Sequence, residues 1–163
     1  MLTRLNYDAR IAKSDELEHI YMMGFDVWSD GTSQVEYLAN CRTSSKYARG
    51  IWYVLTSDDQ PISSLITYKL EPNQVGIGSI ATPISYRKRG YASELIKRVM
   101  DEFDATLDVP TYFLYTDISP TFYERFGFKA LPLEFQKYES STCMIKPGRK
   151  QVPLTDSTLP KYF

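Results

Sequence analysis

The sequence predicts a mixed α/β fold built on a largely antiparallel sheet. Three apolar segments rich in β-forming residues, 51–55, 62–70 and 75–82, are separated by turn clusters and predict a meander of strands. The most regular amphipathic helix, residues 92–103, then leads to a further apolar run at 111–116. A strand–helix–strand crossover next to hairpins requires a mixed sheet, with helices packed on its faces.

The segment before the meander is predicted to hold one strand and two helices. Residues 2–7 are the candidate first strand. Ser14 is a suitable N-cap for a helix, because its hydroxyl can accept a hydrogen bond from the first helical turn. Apolar residues then recur at helical spacing as far as Trp28, and a shorter helix is predicted over residues 34–39.

The third strand of the meander contains two glycines, Gly76 and Gly78. Glycine weakens the interior of a strand, because it has no side chain to pack and loses more conformational freedom on folding. We therefore expect another backbone or a ligand to lie close to this strand.

The segments after the meander continue the alternation of helix and strand. The apolar face of the long helix consists of Ala92, Leu95, Ile96, Val99, Met100 and Phe103. The run at 111–116 has no polar face and predicts a buried strand. Pro120 suits the first turn of a short helix that ends at Gly127.

Two further strands are predicted near residues 128–135 and 138–145. Residues 1–146 are accordingly expected to form one domain. Residues 147–163 contain three prolines and many polar side chains, so that an extended or disordered C-terminal tail is expected.

The overall composition argues against several classes of partner. A formal charge of −1 gives no general attraction to nucleic acid or to an anionic membrane. No apolar run approaches the length of a membrane span, and the first residues lack the apolar core of a secretion signal. We expect a cytoplasmic monomer or homodimer that binds neither nucleic acid nor membranes.

Cysteine and histidine are too scarce to predict a metal site. Cys41 and Cys143 lie about a hundred residues apart and match no metal-binding spacing. His19 is the one histidine, and it cannot build a zinc site without further ligands. Neither cysteine lies in a motif typical of an acyl-enzyme nucleophile. No metal and no covalent intermediate are therefore expected.

The most informative segment is a basic turn that contains glycine and joins the third strand of the meander to the long helix. Its sequence is Arg87-Lys88-Arg89-Gly90-Tyr91-Ala92. The first N–H groups of a helix have no partners inside the helix, and the helix dipole places partial positive charge at the same end. The turn is therefore suited to bind phosphate, and its three basic side chains favour a small polyanion.

Two motifs together resemble those of the GNAT superfamily, the N-acetyltransferases that use acetyl-CoA. The spacing Arg-x-x-Gly-x-Ala, from Arg87 to Ala92, is similar to the pyrophosphate-binding motif of the family. About thirty residues later, the segment from Tyr123 to Phe128 is similar to the Tyr-x-x-x-Gly-Phe motif after the family's fifth strand. The resemblance is best over residues 51–128. Many members have glycine in place of Ala92, where a methyl group is commonly accepted.

The resemblance implies the GNAT fold, a central mixed and mostly antiparallel sheet whose parallel strands splay apart to admit acetyl-CoA. Backbone groups of the strand before the turn would hold the pantetheine arm at Ile80, Ala81 and Thr82. The pyrophosphate would be bound, mainly through N–H groups, by Arg87, Lys88, Arg89, Gly90, Tyr91 and Ala92.

The resemblance also implies direct transfer of an acetyl group from acetyl-CoA to a primary amine in a ternary complex. Tyr123 would act as general acid toward the thiolate of CoA, because a phenol can donate a proton or a hydrogen bond to sulfur. The general base that deprotonates the amine is open between Glu71, Asp117 and a water chain. The sequence does not specify the acceptor or the preferred acyl chain.

The acceptor is expected near the first two helices. This region combines acidic and aromatic side chains, namely Glu18, Asp26, Asp30, Glu36, Tyr21, Trp28 and Tyr37. Such a set suits a cationic amine, and it equally suits a solvated helix face over aromatic core residues.

Two other functions remain open. A module of the same fold could bind acyl-CoA as a sensor without turnover. A binder of nucleotide phosphates could use the same turn, but the Lys-Ser/Thr pair of a P-loop and an early Gly-x-Gly-x-x-Gly motif are both missing.

Overall fold

The computed structural model describes residues 6–163, which contain seven strands and six α-helices. The strands are β1 Tyr7–Ile11, β2 Ile51–Ser57, β3 Gln60–Lys69, β4 Gln74–Ala81, β5 Thr111–Thr116, β6 Lys129–Ala130 and β7 Thr142–Lys146. The helices are α1 Leu17–Met23, α2 Phe25–Trp28, α3 Gln34–Arg42, α4 Ser45–Arg49, α5 Tyr91–Thr106 and α6 Thr121–Glu124. The sheet has the strand order β1-β2-β3-β4-β5-β7-β6.

The sheet is mixed, as predicted. β4 and β5 run parallel, whereas the pairs β1/β2, β2/β3, β5/β7 and β6/β7 are antiparallel. The parallel pairing ends at Ile77 and Leu114, although β4 extends to Ala81. Ser79 has a φ of 46°, which interrupts the extended backbone of β4 shortly after its last pair with β5. The two parallel strands are therefore paired over only part of their length, as expected for a splay.

Contacts within the described chain divide it into two units. The first consists of residues 6–67 and 79–99, and the second of residues 68–78 and 100–163. The basic turn from Arg87 to Ala92 belongs to the first unit, and the helix that carries Tyr123 belongs to the second.

In the first unit, an aromatic cluster attaches the N-terminal helices to β2. The Trp52 ring lies 6.1 Å from that of Tyr21 on α1 and 5.0 Å from that of Tyr47 on α4. Tyr37 on α3 donates its hydroxyl hydrogen to the carbonyl of Tyr21 at 2.9 Å. Each of these aromatic rings buries a large apolar area, so that α1, α3 and α4 are fixed relative to the strand.

Three N-terminal predictions need correction. Ser14 is not an N-cap, because it is the first residue of a 3₁₀ turn, Ser14–Glu16, whose N-cap is Lys13. The predicted strand over residues 2–7 lies mostly outside the described residues, and the observed strand begins at Tyr7. The helix predicted as far as Trp28 is broken at Gly24, which separates α1 from α2. A Cβ atom at Gly24 would lie 2.0 Å from the Trp28 ring, so the indole packs directly on the glycine backbone.

Helix α4 was missed by the sequence pattern. Its first turn is capped by Ser44, whose side-chain oxygen accepts a hydrogen bond from the N–H of Tyr47 at 3.2 Å. The helix is only five residues long, too short to show a helical repeat of apolar residues.

In the second unit, the two faces of β5 are covered by different parts of the chain. The hydroxyl oxygen of Tyr112 lies 2.8 Å from both the carbonyl oxygen of Met100 and the carboxylate of Asp104 in the C-terminal part of α5, and these two acceptors share its one hydrogen. Side chains alternate along a strand, so Tyr115 lies on the opposite face. There its ring is 5.5 Å from that of Phe163. Helix α5 therefore covers one face of β5 and the C-terminal tail the other.

The two predicted C-terminal strands are shorter than expected. β6 spans two residues, and a turn of 3₁₀-helix follows at Leu133–Phe135. Pro132 removes a backbone donor at this point and prevents a longer ladder. The side-chain amide of Gln136 bonds to the carbonyl oxygens of Leu131 and Cys143, where further strand pairing would otherwise occur.

Residues 147–163 form neither helix nor strand, but they pack against the second unit. Leu159 and Phe163 are buried, and Tyr115 donates its hydroxyl hydrogen to the carbonyl of Pro160 at 2.6 Å. The alternative of a disordered tail is wrong, because its last apolar side chains bury surface on the sheet. The predicted domain boundary after residue 146 stays a prediction.

Candidate active site

A short corner in the backbone connects β4 to the basic turn. β4 ends at Ala81, and Pro83 precedes a single 3₁₀ turn over Ile84–Tyr86. The N–H of Tyr86 donates to the carbonyl of Pro83 at 2.8 Å. Because proline fixes φ and the 3₁₀ turn is tight, the chain reverses within a few residues and delivers Arg87 to the start of the turn.

The basic turn contains two residues in the left-handed region of the backbone. Lys88 has a φ of 63° and Gly90 a φ of 82°. A Cβ atom at Gly90 would meet nothing within 4 Å, so the backbone conformation rather than lack of space favours glycine there. α5 begins with the next residue, Tyr91.

The turn presents a row of backbone donors. The N–H of Glu94 donates to the carbonyl of Gly90 at 3.0 Å, which starts the hydrogen-bond ladder of α5. Among the described residues, no backbone carbonyl accepts from the N–H groups of Arg89, Gly90, Tyr91 or Ala92. These donors, the helix dipole and the exposed basic side chains of the turn have the chemistry that suits an anion.

The side chain of Arg87 forms hydrogen bonds with other residues of the protein. Its two terminal nitrogens donate to the carboxylate of Asp26 at 2.7 and 2.8 Å, and its Nε donates to the carbonyl of Thr82 at 2.8 Å. This pairing raises the pKa of Arg87 and lowers that of Asp26. The N–H of Arg87 donates to the carbonyl of Ile84 at 3.3 Å. The side chain and the N–H of Arg87 therefore both have hydrogen-bond partners within the protein, whereas the N–H groups of Arg89 to Ala92 have no backbone acceptor among the described residues.

The strand residues predicted to hold a pantetheine arm lie at the end of β4. Ile80 is half-buried and Ala81 is buried. The hydroxyl of Ser63 on β3 donates to the carbonyl of Ala81 at 3.0 Å and lies 2.9 Å from the hydroxyl of Thr82. These bonds fix the backbone just before the corner.

The phenol of Tyr91 lies at the N-terminus of α5. The hydroxyl of Tyr7 donates to the hydroxyl of Tyr91 at 3.4 Å, and the two rings are 5.6 Å apart. This bond lowers the pKa of Tyr91, and the guanidinium of Arg89 lowers it further. The same bond raises the pKa of Tyr7. No local sequence pattern indicates this pair, because its members lie 84 positions apart.

Tyr123 lies in the second unit, on α6. Pro120 caps this helix, and the N–H of Tyr123 donates to its carbonyl at 2.9 Å. The ring is 4.9 Å from that of Phe122 and 6.5 Å from that of Phe128. Only 8% of Tyr123 is exposed. Phe122 and Phe128 therefore pack on the ring of Tyr123.

The hydroxyl of Tyr123 stays protonated at neutral pH. Burial raises its pKa to about 12, a hydrogen bond with Thr116 lowers it, and the nearby charge of Asp117 raises it. Thr116 lies at the end of β5 and also accepts a hydrogen bond from the N–H of Ile118 at 3.1 Å. Tyr123 is therefore a neutral phenol that can donate a hydrogen bond.

The carboxylates considered as general bases or amine ligands have different environments. Glu71 and Asp117 are exposed. Asp26 is paired with Arg87 as described, and Glu18 forms an ion pair with Arg42. Two of the four acidic side chains predicted to attract a cationic amine are therefore neutralised by arginine, whereas Asp30 and Glu36 have no ion pair among the described residues.

Within residues 6–163, no group of three or more His, Cys, Asp or Glu side chains is arranged to hold a metal ion. Nor does this part of the chain contain a helix with the length and apolar character needed to cross a membrane. Cys41 and Cys143 are both buried free thiols.

The comparison with protein families finds one family whose domain covers most of the chain. The acetyltransferase (GNAT) domain matches residues 8–131. The chain belongs to the GNAT acetyltransferase family. Curated proteins gave no match at the significance required.

Solved structures of GNAT proteins share the fold over most of the chain. The ribosomal-protein-S18-alanine N-acetyltransferase of Escherichia coli has a TM-score of 0.66 at 16% identity, and the match covers 90% of this chain and 96% of that one. The PaiA N-acetyltransferase of Thermoplasma acidophilum, in complex with coenzyme A, has a TM-score of 0.67 at 12% identity, with coverage of 87% and 99%.

A third structure shows the same fold within a longer protein. The N-acetylglutamate synthase of Neisseria gonorrhoeae, complexed with coenzyme A and N-acetyl-glutamate, has a TM-score of 0.66 at 15% identity. The match covers 91% of this chain and 36% of that one. At these identities the structures show the GNAT fold, which confirms the predicted fold class.

Proposed function

We propose that this GNAT protein transfers the acetyl group of acetyl-CoA to a primary amine by direct attack. The observation that carries the proposal is the start of α5, where the N–H groups of residues 89–92 find no backbone acceptor in the described chain and lie next to basic side chains. Family membership and the neighbours crystallised with coenzyme A support this choice of ligand.

The residues of the turn fit the diphosphate of coenzyme A. The N–H groups of Arg89, Gly90, Tyr91 and Ala92 would donate to its oxygens, while the side chains of Lys88 and Arg89 would neutralise its charge. The backbone of Ile80, Ala81 and Thr82 would hold the pantetheine arm. In the reaction, the amine nitrogen forms a bond to the thioester carbonyl carbon, and the carbon–sulfur bond breaks to release a thiolate.

Tyr123 would act on the leaving sulfur mainly as a hydrogen-bond donor. A thiol has a pKa near ~8.5, whereas that of Tyr123 is raised to about 12. Complete proton transfer from the phenol to the thiolate would be uphill by about 3.5 pKa units, or roughly 5 kcal/mol. A hydrogen bond that strengthens as charge develops on sulfur avoids this cost and still stabilises the transition state.

The amine must lose a proton before or during attack. Glu71, Asp117 and a water chain remain the candidates for this role, and both carboxylates are exposed enough to exchange protons with solvent. The paired state of Asp26 and Glu18 argues against their use as bases.

Tyr123→Phe tests the proposal, combined with a screen of amines that measures free thiol released from acetyl-CoA. We expect the variant to lose about a hundredfold in kcat with unchanged affinity for acetyl-CoA, since one hydrogen bond to the leaving group is removed. The alternative function, an acyl-CoA sensor of the same fold, predicts thiol release at the uncatalysed rate with every amine and no effect of the substitution. Competition between acetyl-CoA and ATP tests the nucleotide-binding alternative.

A further inference from the structure

Arg87 and Asp26 form a bidentate ion pair that joins the basic turn to α2. Both carboxylate oxygens of Asp26 accept a hydrogen bond from the guanidinium, at 2.7 and 2.8 Å. About a third of each side chain is exposed, 35% and 33%. A bidentate pair fixes orientation as well as distance, which sets it apart from an ordinary surface ion pair.

The same guanidinium also contacts two backbone carbonyls, one at the start of the corner and one on α1. Its Nε donates to the carbonyl of Thr82 at 2.8 Å, and a terminal nitrogen lies 3.5 Å from the carbonyl of Met23 at the end of α1. Together with the N–H bond to Ile84, these contacts leave Arg87 little freedom to turn toward a bound anion.

The other end of the corner is anchored by a buried hydroxyl. Ser63, which is 0% exposed on β3, contacts both the carbonyl of Ala81 and the hydroxyl of Thr82. The backbone from residue 82 to residue 87 is thus held by β3 at its start and by α2 at its end.

We propose that Asp26 is a positioning residue for the binding of the CoA diphosphate. Through Arg87 it holds the corner so that Lys88 keeps its disfavoured positive φ and the N–H groups that follow stay aligned on the anion. Arg87 then contributes to cofactor affinity through the position of the turn and not through a contact with phosphate. This inference rests on the proposed function of the turn.

Calorimetry of CoA and pantetheine binding tests the role of Asp26. Pantetheine lacks the diphosphate together with the adenosine 3′-phosphate, and it reports on the part of the site that would hold the pantetheine arm. We expect Asp26→Asn and Arg87→Ala each to weaken CoA binding about tenfold and to leave pantetheine binding unchanged. The double variant should bind CoA no more weakly than either single variant, because the two residues act as one unit. In steady-state kinetics, Asp26→Asn should raise KM for acetyl-CoA at constant kcat.

Glu16→Gln supplies a matched control. Glu16 forms a bidentate pair with Arg10 in the same unit, at 2.8 and 2.9 Å, and neither residue contacts the corner. This variant should lose stability without a change in CoA affinity. Asp26→Glu, which restores the charge, should recover part of the lost affinity.

Three results would overturn the inference. Unchanged or tighter CoA binding by Asp26→Asn would mean that a released Arg87 contacts the phosphates itself. Equal losses for CoA and pantetheine would mean a general effect on folding. If the losses of CoA affinity in the two single variants add up in the double variant, the two residues act separately. Absence of CoA binding by the unsubstituted protein would instead contradict the proposed function on which the inference rests.

Discussion

The ring of Phe163 lies directly on the backbone of Gly76. A Cβ atom at Gly76 would be 2.8 Å from two of the ring atoms, closer than such contacts normally occur. Phe163 also packs against Tyr68 and Tyr115, at ring separations of 5.3 and 5.5 Å, and is 6% exposed. The absence of a side chain at Gly76 thus makes room for the end of the tail on β4.

Gly76→Ala should therefore destabilise the protein by about 1–3 kcal/mol, because the added methyl group overpacks the contact with Phe163. Urea unfolding at neutral pH measures the loss. In the background of Phe163→Ala, which removes the ring, the same substitution at Gly76 should cost much less. Equal costs in both backgrounds would show that the ring does not limit the space at Gly76.

The pair of Arg10 and Glu16 should protect the fold against acid. The guanidinium lowers the pKa of Glu16 from 4.5 to about 2, although partial burial opposes the shift. The folded state therefore holds this proton less tightly than the unfolded chain. The stabilisation is fully present above about pH 4.5 and is lost as the pH falls toward 2.

Glu16→Gln should remove about 1–3 kcal/mol of stability at neutral pH and have little effect near pH 2. Urea unfolding as a function of pH measures the difference. Glu18→Gln, which breaks the more exposed pair with Arg42, should change stability by less than about 1 kcal/mol. A constant difference between the wild type and Glu16→Gln down to pH 2 would contradict the assignment.

We expect the pH dependence of kcat to show no ionisation of Tyr123 between about pH 7 and about pH 10. Since burial raises its pKa to about 12, the phenol keeps its hydrogen from about pH 7 to about pH 10. The ratio of kcat between the wild type and Tyr123→Phe is expected to stay constant over this interval. An alkaline decline near pH 9 that is present in the wild type and absent from the variant would show that the phenol ionises much more easily.

The helices and strands that the sequence predicted well are those whose local residue pattern is enough to specify them. The helix that became α5 has a continuous apolar stripe, and β2 and β5 are short apolar runs, so each was placed within a few residues. The two glycines of β4 indicated that something must approach the strand closely. Identifying Phe163 as the group at Gly76 required the path of a tail 87 residues further along the chain.

The position of the basic turn was predictable from the sequence, whereas the partners of its side chains were not. The motif from Arg87 to Ala92 located the turn, because glycine and basic residues before a helix have a local physical meaning. The pairing of Arg87 with Asp26 joins residues 61 positions apart, and no local pattern indicates such a contact. The positive φ of Ser79 was equally hidden, since serine shows no preference for that conformation.

The measurement that tests the account most directly is calorimetric titration of the purified protein with CoA and with pantetheine. If the N–H groups after Lys88 bind the diphosphate, CoA should bind in the micromolar range, and pantetheine at least about tenfold more weakly. Added salt should weaken the binding of CoA and leave that of pantetheine nearly unchanged. No heat with CoA at about 1 mM, or equal affinities for the two ligands, would contradict the assignment of this turn as the diphosphate site.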